Sequence, residues 1–378
     1  MIRLGLDILL EERAGELANL RVGVLANQAS VTRDGHHIID ALRRMNVKIT
    51  ALFGPEHGIL GAGGPGERVN DSHHASLDVP VYSLYGKTRT PTPASLDLID
   101  IMIADLQDVG ARFYTFASTM ASVMTACGDR GIPVWVLDRP NPINGRDTEG
   151  PVLEPDYSSF VGMFPIPIRH GLTMGELARL FVARFGVKCE LEVIGMRGWR
   201  RNMFWDETGL RWMKPSPNMP EPDTALYYPG TCLLEGTNVS EGRGTGHPFQ
   251  VIGAPWIDSD GLCRALSAYN LPGLEVHPTS WTGNGEAYRG VGIRASDRGA
   301  YRPVLTGVAV LRALRRLHPD EFEFAVPGAD GRTFLDLLAG TARIRLGILE
   351  DRSPFEIASD WDCDVAGFQS LASEVMLY

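Results

Sequence analysis

The sequence predicts an α/β protein in which a mainly parallel sheet is covered by helices on both faces. Three observations lead to this class: short apolar runs alternate with segments of helical spacing, the runs are apolar along their whole length, and the runs end in polar residues. The chain has 378 residues, of which 44% are hydrophobic, so it can bury a substantial core and is expected to fold as two domains.

Five strands are predicted in the first part of the chain, each an apolar or β-branched run bounded by turn residues. They are residues 22–26, 47–53, 79–84, 101–104 and 133–137. Apolar residues at helical spacing predict connecting helices near 38–45 and 119–127, and a further strand is predicted at 189–194. Strands that are joined in this way by helices usually run parallel.

Polar side chains follow all five of the first strands. The strand ends carry Asn27 with Gln28, Glu56 with His57, Tyr85, Asp105 with Gln107 and Asp108, and Asp138 with Arg139 and Asn141. Taken singly, Asn27, Asp108 and Asn141 suit turn formers or helix caps equally well. Because the carboxyl ends of parallel strands meet at one edge of a sheet, we expect these side chains to share a ligand pocket.

The turn at 54–58 is the first candidate for chemistry. Gly54 and Pro55 precede Glu56 and His57, and Gly58 follows, so a carboxylate and an imidazole stand directly after a buried strand. These are groups that commonly transfer protons in enzymes. Glu56 is therefore the first residue to weigh as a catalytic acid or base.

A second polar segment lies at 169–176. Arg169 and His170 precede Thr173, and Thr173 with Glu176 has the spacing of a helix capping box. Glu176 is therefore either only a cap or a cap that also faces the ligand.

The remainder of the chain contains a candidate boundary and a candidate binding loop. Four prolines between 214 and 223 interrupt any helix or central strand and favour a domain boundary there. A loop at 234–245 is rich in glycine, hydroxyl and charged side chains. The elements predicted beyond it are a strand near 291–294 and helices at 304–317, at 334–338 and at the end of the chain.

Charge and composition argue against several partners. A formal charge of -10, a pI near 5.4 and the lack of a run of five basic residues disfavour nucleic acid and anionic membrane surfaces, so a small molecule is the expected partner. No stretch of 18 apolar residues and no signal-peptide core occur. The five cysteines are odd in number and contain no C-x-x-C, which predicts free thiols in a reducing cytoplasm.

Neither a cofactor nor a metal is predicted. The glycines at 61–66 match the dinucleotide pattern G-x-G-x-x-G, but they come several residues after the turn and open no predicted helix. Histidines occur only as isolated residues or adjacent pairs, without a zinc motif, and no G-x-S-x-G elbow is present. Carboxylates are the abundant acid-base groups, and paired carboxylates are typical of glycoside cleavage. The candidates are Glu56, Asp105, Asp108, Asp138, Glu149 and Glu176.

Seven blocks of residues, taken in order, resemble the exo-β-N-acetylmuramidase family, and the likeness covers nearly the whole chain. The blocks are residues 55–58, 83–86, 106–115, 138–142, 169–171, 215–219 and 235–237. The resemblance implies an exo-acting glycosidase that releases N-acetylmuramic acid from the non-reducing end of peptidoglycan fragments. It also implies a Rossmann-like, doubly wound catalytic domain, which we expect at 1–228, and a smaller α+β domain at 229–378 that closes the cleft.

A mechanism compatible with the resemblance uses Glu56 as the general acid, oriented by His57. The second role falls to Glu176, Asp105 or Asp138, or to the substrate's own 2-acetamido oxygen. The arginines in or near the blocks, Arg112, Arg139, Arg169 and Arg243, are candidates to bind the lactyl carboxylate in a bidentate manner, although each could equally form a structural ion pair.

The set of expected substrate contacts is broad. Besides Glu56 and Glu176 it comprises Asn27, His57, Tyr85, Asp105, Gln107, Asp108, Arg112, Tyr114, Asp138, Arg139, Asn141, Arg169, His170, Ser216, Asn218, Glu235 and Arg243. Two other classes compete with the hydrolase. One is a non-catalytic protein that binds muropeptides or another acidic sugar, and the other, disfavoured by the misplaced glycine pattern, is a dehydrogenase.

Overall fold

The computed structural model describes residues 1–61, 63, 64, 67, 70–283 and 285–378. The strands in this part of the chain are β1 (Val22–Ala26), β2 (Ile49–Gly54), β3 (Ser72–His74), β4 (Val79–Ser83), β5 (Ile101–Asp105), β6 (Val134–Leu137), β7 (Glu149–Val152), β8 (Pro167–Arg169), β9 (Leu191–Ile194), β10 (Val251–Ala254), β11 (Leu274–Gly283) and β12 (Glu286–Ala295). The α-helices are α1 (Gly5–Ile8), α2 (Ile38–Arg44), α3 (Pro93–Leu96), α4 (Phe116–Gly128), α5 (Met174–Arg184), α6 (Pro222–Thr231), α7 (Ser259–Ala268), α8 (Pro303–Leu317), α9 (Phe334–Ala339), α10 (Arg343–Leu349), α11 (Pro354–Ser359) and α12 (Asp362–Ser373).

The central sheet has seven strands in the order β3-β4-β2-β1-β5-β6-β9. Every neighbouring pair is parallel except β3 with β4. Without β3, the six parallel strands follow the doubly wound Rossmann order, in which the direction of winding reverses between β1 and β5. The predicted α/β class and Rossmann-like sheet are confirmed.

Side chains of the buried strands alternate between two cores. On β1, Val24 points into the cluster that contains Leu42 and Ile103, whereas Leu25 points into the larger cluster that contains Phe53 and Met120. A strand that is buried on both faces needs apolar residues at every position, because successive side chains point in opposite directions. This explains the continuous apolar runs in the sequence.

The edge strand β3 is the part of this sheet that was not predicted. It is short, carries serine and two histidines, and its side chains are mostly exposed, so it has no apolar pattern to detect. The predicted strand at 189–194 forms β9, although it begins at Leu191. Part of the glycine pattern at 61–66 lies outside the described residues.

The C-terminal part combines an antiparallel sheet, ordered β10-β12-β11, with helices, as expected for a smaller α+β domain. Helix α8 is its centre, with nearly every residue from Pro303 to Leu314 buried. The predicted division after residue 228 falls within α6 and remains a prediction. In the described part of the chain no helix is long and apolar enough to cross a membrane.

Candidate active site

The turn after β2 holds Glu56 in a tight backbone. The amide of Gly58 donates a hydrogen bond of 2.9 Å to the carbonyl of Pro55, which closes a four-residue turn with Glu56 and His57 at its centre. His57 has a φ of +71°, a left-handed conformation that this turn geometry requires and that glycine usually supplies. A non-glycine residue in this conformation is strained, and such strain persists where the surroundings enforce it.

The immediate neighbours fix both central side chains. The Glu56 carboxylate accepts a hydrogen bond of 2.9 Å from Thr115 Oγ1, and His57 Nδ1 lies 3.0 Å from the carbonyl oxygen of Gly63. Burial, together with the charge of Glu56, raises the pKa of the Tyr85 phenol. Tyr85 is therefore close enough to Glu56 to share its electrostatic environment.

Glu56 lies on the wall of a small cavity. The cavity combines polar groups from the strand ends and the proline-rich segment with apolar rings. Its lining residues are Glu56, His57, Phe113, Tyr114, Thr115, Ser216, Asn218, Met219, Tyr228, Arg243 and Phe249. The structure thus brings together six of the residues predicted from the sequence: Glu56, His57, Tyr114, Ser216, Asn218 and Arg243.

Arg243 is the cation of this cavity. Its Nη1 atom lies 2.7 Å from Glu241 Oε1 and also forms an ion pair with Glu235, while its guanidinium group lies 4.8 Å from the ring centroid of Phe249. In the described part of the chain the Nε atom is buried and has no hydrogen-bond partner. A guanidinium group can bind a carboxylate with two parallel hydrogen bonds.

Glu235 does not line the cavity but forms an ion pair with Arg243, which does. It pairs with Arg243 and accepts a hydrogen bond of 2.9 Å from Cys232 Sγ. Burial raises the pKa of Glu235, while the arginine opposes that shift. The arginine thus keeps its charge next to two carboxylates, and its orientation is fixed from behind.

Tyr114 is another polar residue that lines the cavity. Its hydroxyl lies near Ser216, Asp108 and Glu56, and burial raises its pKa well above the usual value, so it stays protonated. Asp108 lies behind it, with Oδ2 accepting from the Gly110 amide at 2.7 Å and lying 3.2 Å from His170 Nε2. Asp108 and His170 therefore shape this region from beneath the cavity surface and do not line it.

Close to the carboxyl ends of β1 and β5, where ligands bind in many sheets of this order, Gln107 and Arg139 line a second small cavity. Asn27 donates a hydrogen bond of 3.1 Å to the carbonyl of Pro215, so the proline-rich segment covers the end of β1. Asp105 is fully buried and pairs with Arg139, whose Nη2 lies 2.8 Å from Asp105 Oδ2. Gln107 donates to the carbonyl of Pro140 at 2.9 Å. These four predicted residues make internal contacts and do not line the cavity of Glu56, although Gln107 and Arg139 line the second cavity.

Asp138 and Glu176 belong to a buried network on another side of the sheet. Asp138 accepts hydrogen bonds of 2.7 Å from the hydroxyls of Thr173 and Tyr378. Burial, reinforced by the charge of Glu176, raises the pKa of Asp138 to about 6. The two side chains anchor the start of α5 and the end of the chain.

The contacts of Glu176 argue against the catalytic role predicted for it. This side chain is fully buried, completes the capping box of α5 with Thr173, and lies 2.6 Å from Arg201 Nη1 and 2.9 Å from the Leu377 amide. Every one of these contacts is internal, and the residue does not line the cavity of Glu56. The capping box that the spacing predicts is present, and a catalytic role of Glu176 stays a prediction.

Two of the predicted carboxylate-binding arginines are also structural. Arg112 is buried and donates to the carbonyls of Pro151, Ile166 and Leu338 at 2.7 to 2.9 Å. Burial lowers its pKa to about 9. Arg169 donates to the Ile143 carbonyl at 2.6 Å and lies 3.3 Å from Asp147, in a different cavity. The side-chain amide of Asn141 likewise makes an internal contact, donating a hydrogen bond of 3.0 Å to the Leu172 carbonyl.

Sequence reasoning missed the apolar side of the cavity. Tyr228 and Phe249 form an edge-to-face pair with centroids 4.8 Å apart, and Phe113 packs on Tyr228 at 5.2 Å. Thr115, the hydrogen-bond donor to Glu56, stands at the end of one matched block and could have been singled out by its place next to Tyr114. Tyr228 and Phe249 carry no local signal, since a buried aromatic residue usually belongs to the core.

Metal ions are held in proteins by sets of histidine, cysteine, aspartate and glutamate side chains. Among the residues that the structure describes, no three histidine, cysteine, aspartate or glutamate side chains cluster in a way that could hold a metal ion. The groups that face the cavity are a carboxylate, hydroxyls, an amide and a guanidinium. Such a set can donate a proton and bind an anionic, hydroxyl-rich ligand.

A doubly wound sheet whose polar loops present a carboxylate and an arginine to one small cavity is the arrangement of an α/β enzyme that acts on a polar, anionic substrate. The comparisons with known proteins specify the family. The chain belongs to the exo-β-N-acetylmuramidase NamZ family, whose N-terminal model matches residues 22–223 and whose C-terminal model matches residues 226–378. It is accordingly a glycoside hydrolase, as the sequence predicts.

The most similar proteins agree in sequence and in fold. The peptidoglycan β-N-acetylmuramidase NamZ of Bacillus subtilis (strain 168) is 42% identical over 383 aligned positions, which cover 100% of this chain and 91% of that protein. Two crystal structures of DUF1343 family proteins from Bacteroides fragilis match 100% of this chain and 99% of their own, with TM-scores of 0.90 at 35% identity and 0.79 at 28% identity.

Proposed function

We propose that this protein is an exo-acting hydrolase that releases N-acetylmuramic acid from the non-reducing end of peptidoglycan fragments, with Glu56 as the general acid. The observation that carries the proposal is that Glu56 and Arg243 line one cavity. The first supplies a proton to the glycosidic oxygen, and the second suits the lactyl carboxylate that distinguishes muramic acid from glucosamine. The name of the Bacillus subtilis relative supports the same substrate class.

The strained turn serves this role by holding Glu56 still. Hydrogen bonding from Thr115 orients the carboxylate, and the hydrogen-bonded turn fixes the backbone at Glu56 and His57. His57 itself bonds the backbone at Gly63, so we assign it a positioning role and not that of a base.

The second catalytic group that we propose is the substrate's own 2-acetamido oxygen. Asp105, Asp138 and Glu176 are all fully buried in other contacts and do not line the cavity. Attack of the acetamido oxygen on the anomeric carbon, followed by water, is the route of substrate-assisted glycosidases and gives a product of retained configuration. Tyr114, protonated at the cavity wall, is suited to orient the acetamido group.

The proposed setting is the recycling of muropeptide sugars inside the cell. All five cysteines are free thiols, which suits a reducing compartment, and Cys127 and Cys232 are buried. Substrates there are soluble fragments, and a chain of net charge -10 would not be drawn to an anionic membrane surface.

Incubation with a disaccharide of N-acetylmuramic acid linked to N-acetylglucosamine tests the proposal. We expect both monosaccharides by mass spectrometry, and proton NMR of the first-formed sugar should detect the β-anomer of N-acetylmuramic acid. Binding of the disaccharide without any cleavage would support the non-catalytic alternative. If the disaccharide is cleaved and the α-anomer forms first, the protein is a hydrolase but does not use the acetamido mechanism.

A further inference from the structure

The outer face of the C-terminal sheet carries an aromatic surface next to the cavity. Trp281 on β11 is the register partner of Tyr288 on β12, and their rings are stacked at 8° with centroids 5.3 Å apart. Both residues are half-buried, and neither belongs to the hydrophobic core clusters. A pair of flat rings outside the core is therefore open to solvent on part of its surface.

Glycines keep this face flat. Because side chains alternate along a strand, the face of Trp281 and Tyr288 also contains Gly290 and, on β10, Gly253. A Cβ atom on Gly253 would lie 2.5 Å from Cη2 of Trp281, so the indole ring lies directly over the glycine backbone. The opposite face carries Ile252, Val291 and Ile293, which are buried. The sheet thus has one core face and one flat, aromatic outer face.

The 240–249 loop connects the aromatic face to the Glu56 cavity. Ser240 and Gly253 exchange backbone hydrogen bonds of 2.9 and 3.0 Å, which attaches the 240–249 loop to β10. A Cβ atom on Gly242 would lie 2.7 Å from Cγ2 of Val251, so the loop also lies against this face of the sheet. The next residue, Arg243, lines the cavity.

We propose that this face is a binding site for the leaving-group side of the substrate, with Trp281 and Tyr288 as the platform on which an N-acetylglucosamine ring stacks. The inference rests on the proposed function, since a cavity that takes only the terminal sugar leaves the next sugar outside its mouth. The C–H face of a pyranose matches a flat aromatic ring, and the polar edges of tryptophan and tyrosine can meet its hydroxyl groups. The occupant is a β-linked N-acetylglucosamine residue and the glycan beyond it.

A merely structural explanation makes a different prediction. Cross-strand aromatic pairs also stabilise hairpins, and in that role they contribute to folding whatever the substrate. Loss of Trp281 would then lower the melting temperature and would affect all substrates alike. The binding role instead discriminates between substrates that do and do not carry a leaving sugar.

Trp281→Ala and Tyr288→Ala, compared on two substrates, distinguish these roles. One substrate is an aryl muraminide without a leaving sugar, and the other is a muramic acid-terminated oligosaccharide with at least two sugars behind the scissile bond. For each variant we expect kcat/KM on the oligosaccharide to fall about five- to tenfold more than on the aryl muraminide, mainly through KM. Thr282→Ala, on the opposite face beside Trp281, should leave this ratio as in the unmodified protein. Equal losses on both substrates overturn the proposal.

Binding of a free N-acetylglucosamine trisaccharide, measured by calorimetry, tests the surface without catalysis. We expect Trp281→Ala to weaken binding about tenfold, by loss of one stacked ring. An unchanged Kd in Trp281→Ala, or no trisaccharide binding by the unmodified protein, overturns the proposed binding surface even if the disaccharide is cleaved. If the protein binds the trisaccharide but cleaves no muraminide, the proposed binding surface stands and the proposed function is wrong.

Discussion

Replacement of Arg243 tests how the cavity recognises its substrate. Arg243 lines the cavity, and its ion pairs with Glu235 and Glu241 are made by Nη1, so we expect its other donors to bind a ligand carboxylate. Hydrogen bonds to charged groups contribute about 1.5–3 kcal/mol each. The side chain is 30% exposed, so solvent screens part of this energy. We therefore take about 2 kcal/mol for the pair of bonds, which corresponds to roughly 30-fold in kcat/KM.

The assay is the ratio of kcat/KM for an aryl β-N-acetylmuraminide to that for the matching glucosaminide, because the two differ only in the lactyl group. Arg243→Met should lower the ratio about 30-fold. Arg243→Lys keeps a charge beside Glu235 and Glu241 but cannot bind in a bidentate manner, so it should give an intermediate ratio. If a variant is partly unfolded, both kcat/KM values fall by the same factor and their ratio does not change. A ratio that stays unchanged in Arg243→Met would refute the reasoning.

Other predictions concern the buried network and its separation from catalysis. Glu176→Gln should reduce the free energy of unfolding by about 1–3 kcal/mol, because it weakens the bonds to Arg201 and Thr173. We expect kcat to stay within a few-fold of that of the unmodified protein. A thousandfold loss of kcat in a stable variant would support a catalytic role for Glu176. Burial and Glu176 raise the pKa of Asp138 from 3.8 to about 6, so the folded state holds this proton more tightly and stability should fall as pH rises from about 4 to 6, by at most about 3 kcal/mol. Asp138→Asn should flatten that decline in urea titrations across the pH range; an identical slope would contradict the assignment.

The sequence was a good guide to the sheet because burial on both faces leaves a strong local pattern. Val24 and Leu25 had to be apolar for different cores, so each parallel strand appears as a continuous run. Polar β3 has no such requirement, since its side chains lie at an exposed sheet edge. Boundaries shifted by up to three residues, as at α4, which begins at Phe116 and not near residue 119.

The site was only partly predictable because a polar residue at a strand end gives no indication of its partner. Asp105 and Glu56 both follow apolar strands, yet Asp105 is paired with Arg139 and Glu56 faces a cavity. The difference depends on the segment near Pro215, more than a hundred residues away in the chain, which covers the β1 end of the sheet. Arg243 was one of four equivalent candidates until its position relative to the cavity was known.

The central claim is that Glu56 protonates the leaving oxygen, and the turnover of the disaccharide by Glu56→Gln tests it most directly. A sugar leaving group needs this proton, and glutamine keeps the shape of the side chain while removing the acid. We expect kcat to fall by about 10²–10⁴, with the melting temperature and substrate binding retained. A kcat within about tenfold of the unmodified protein would contradict the account.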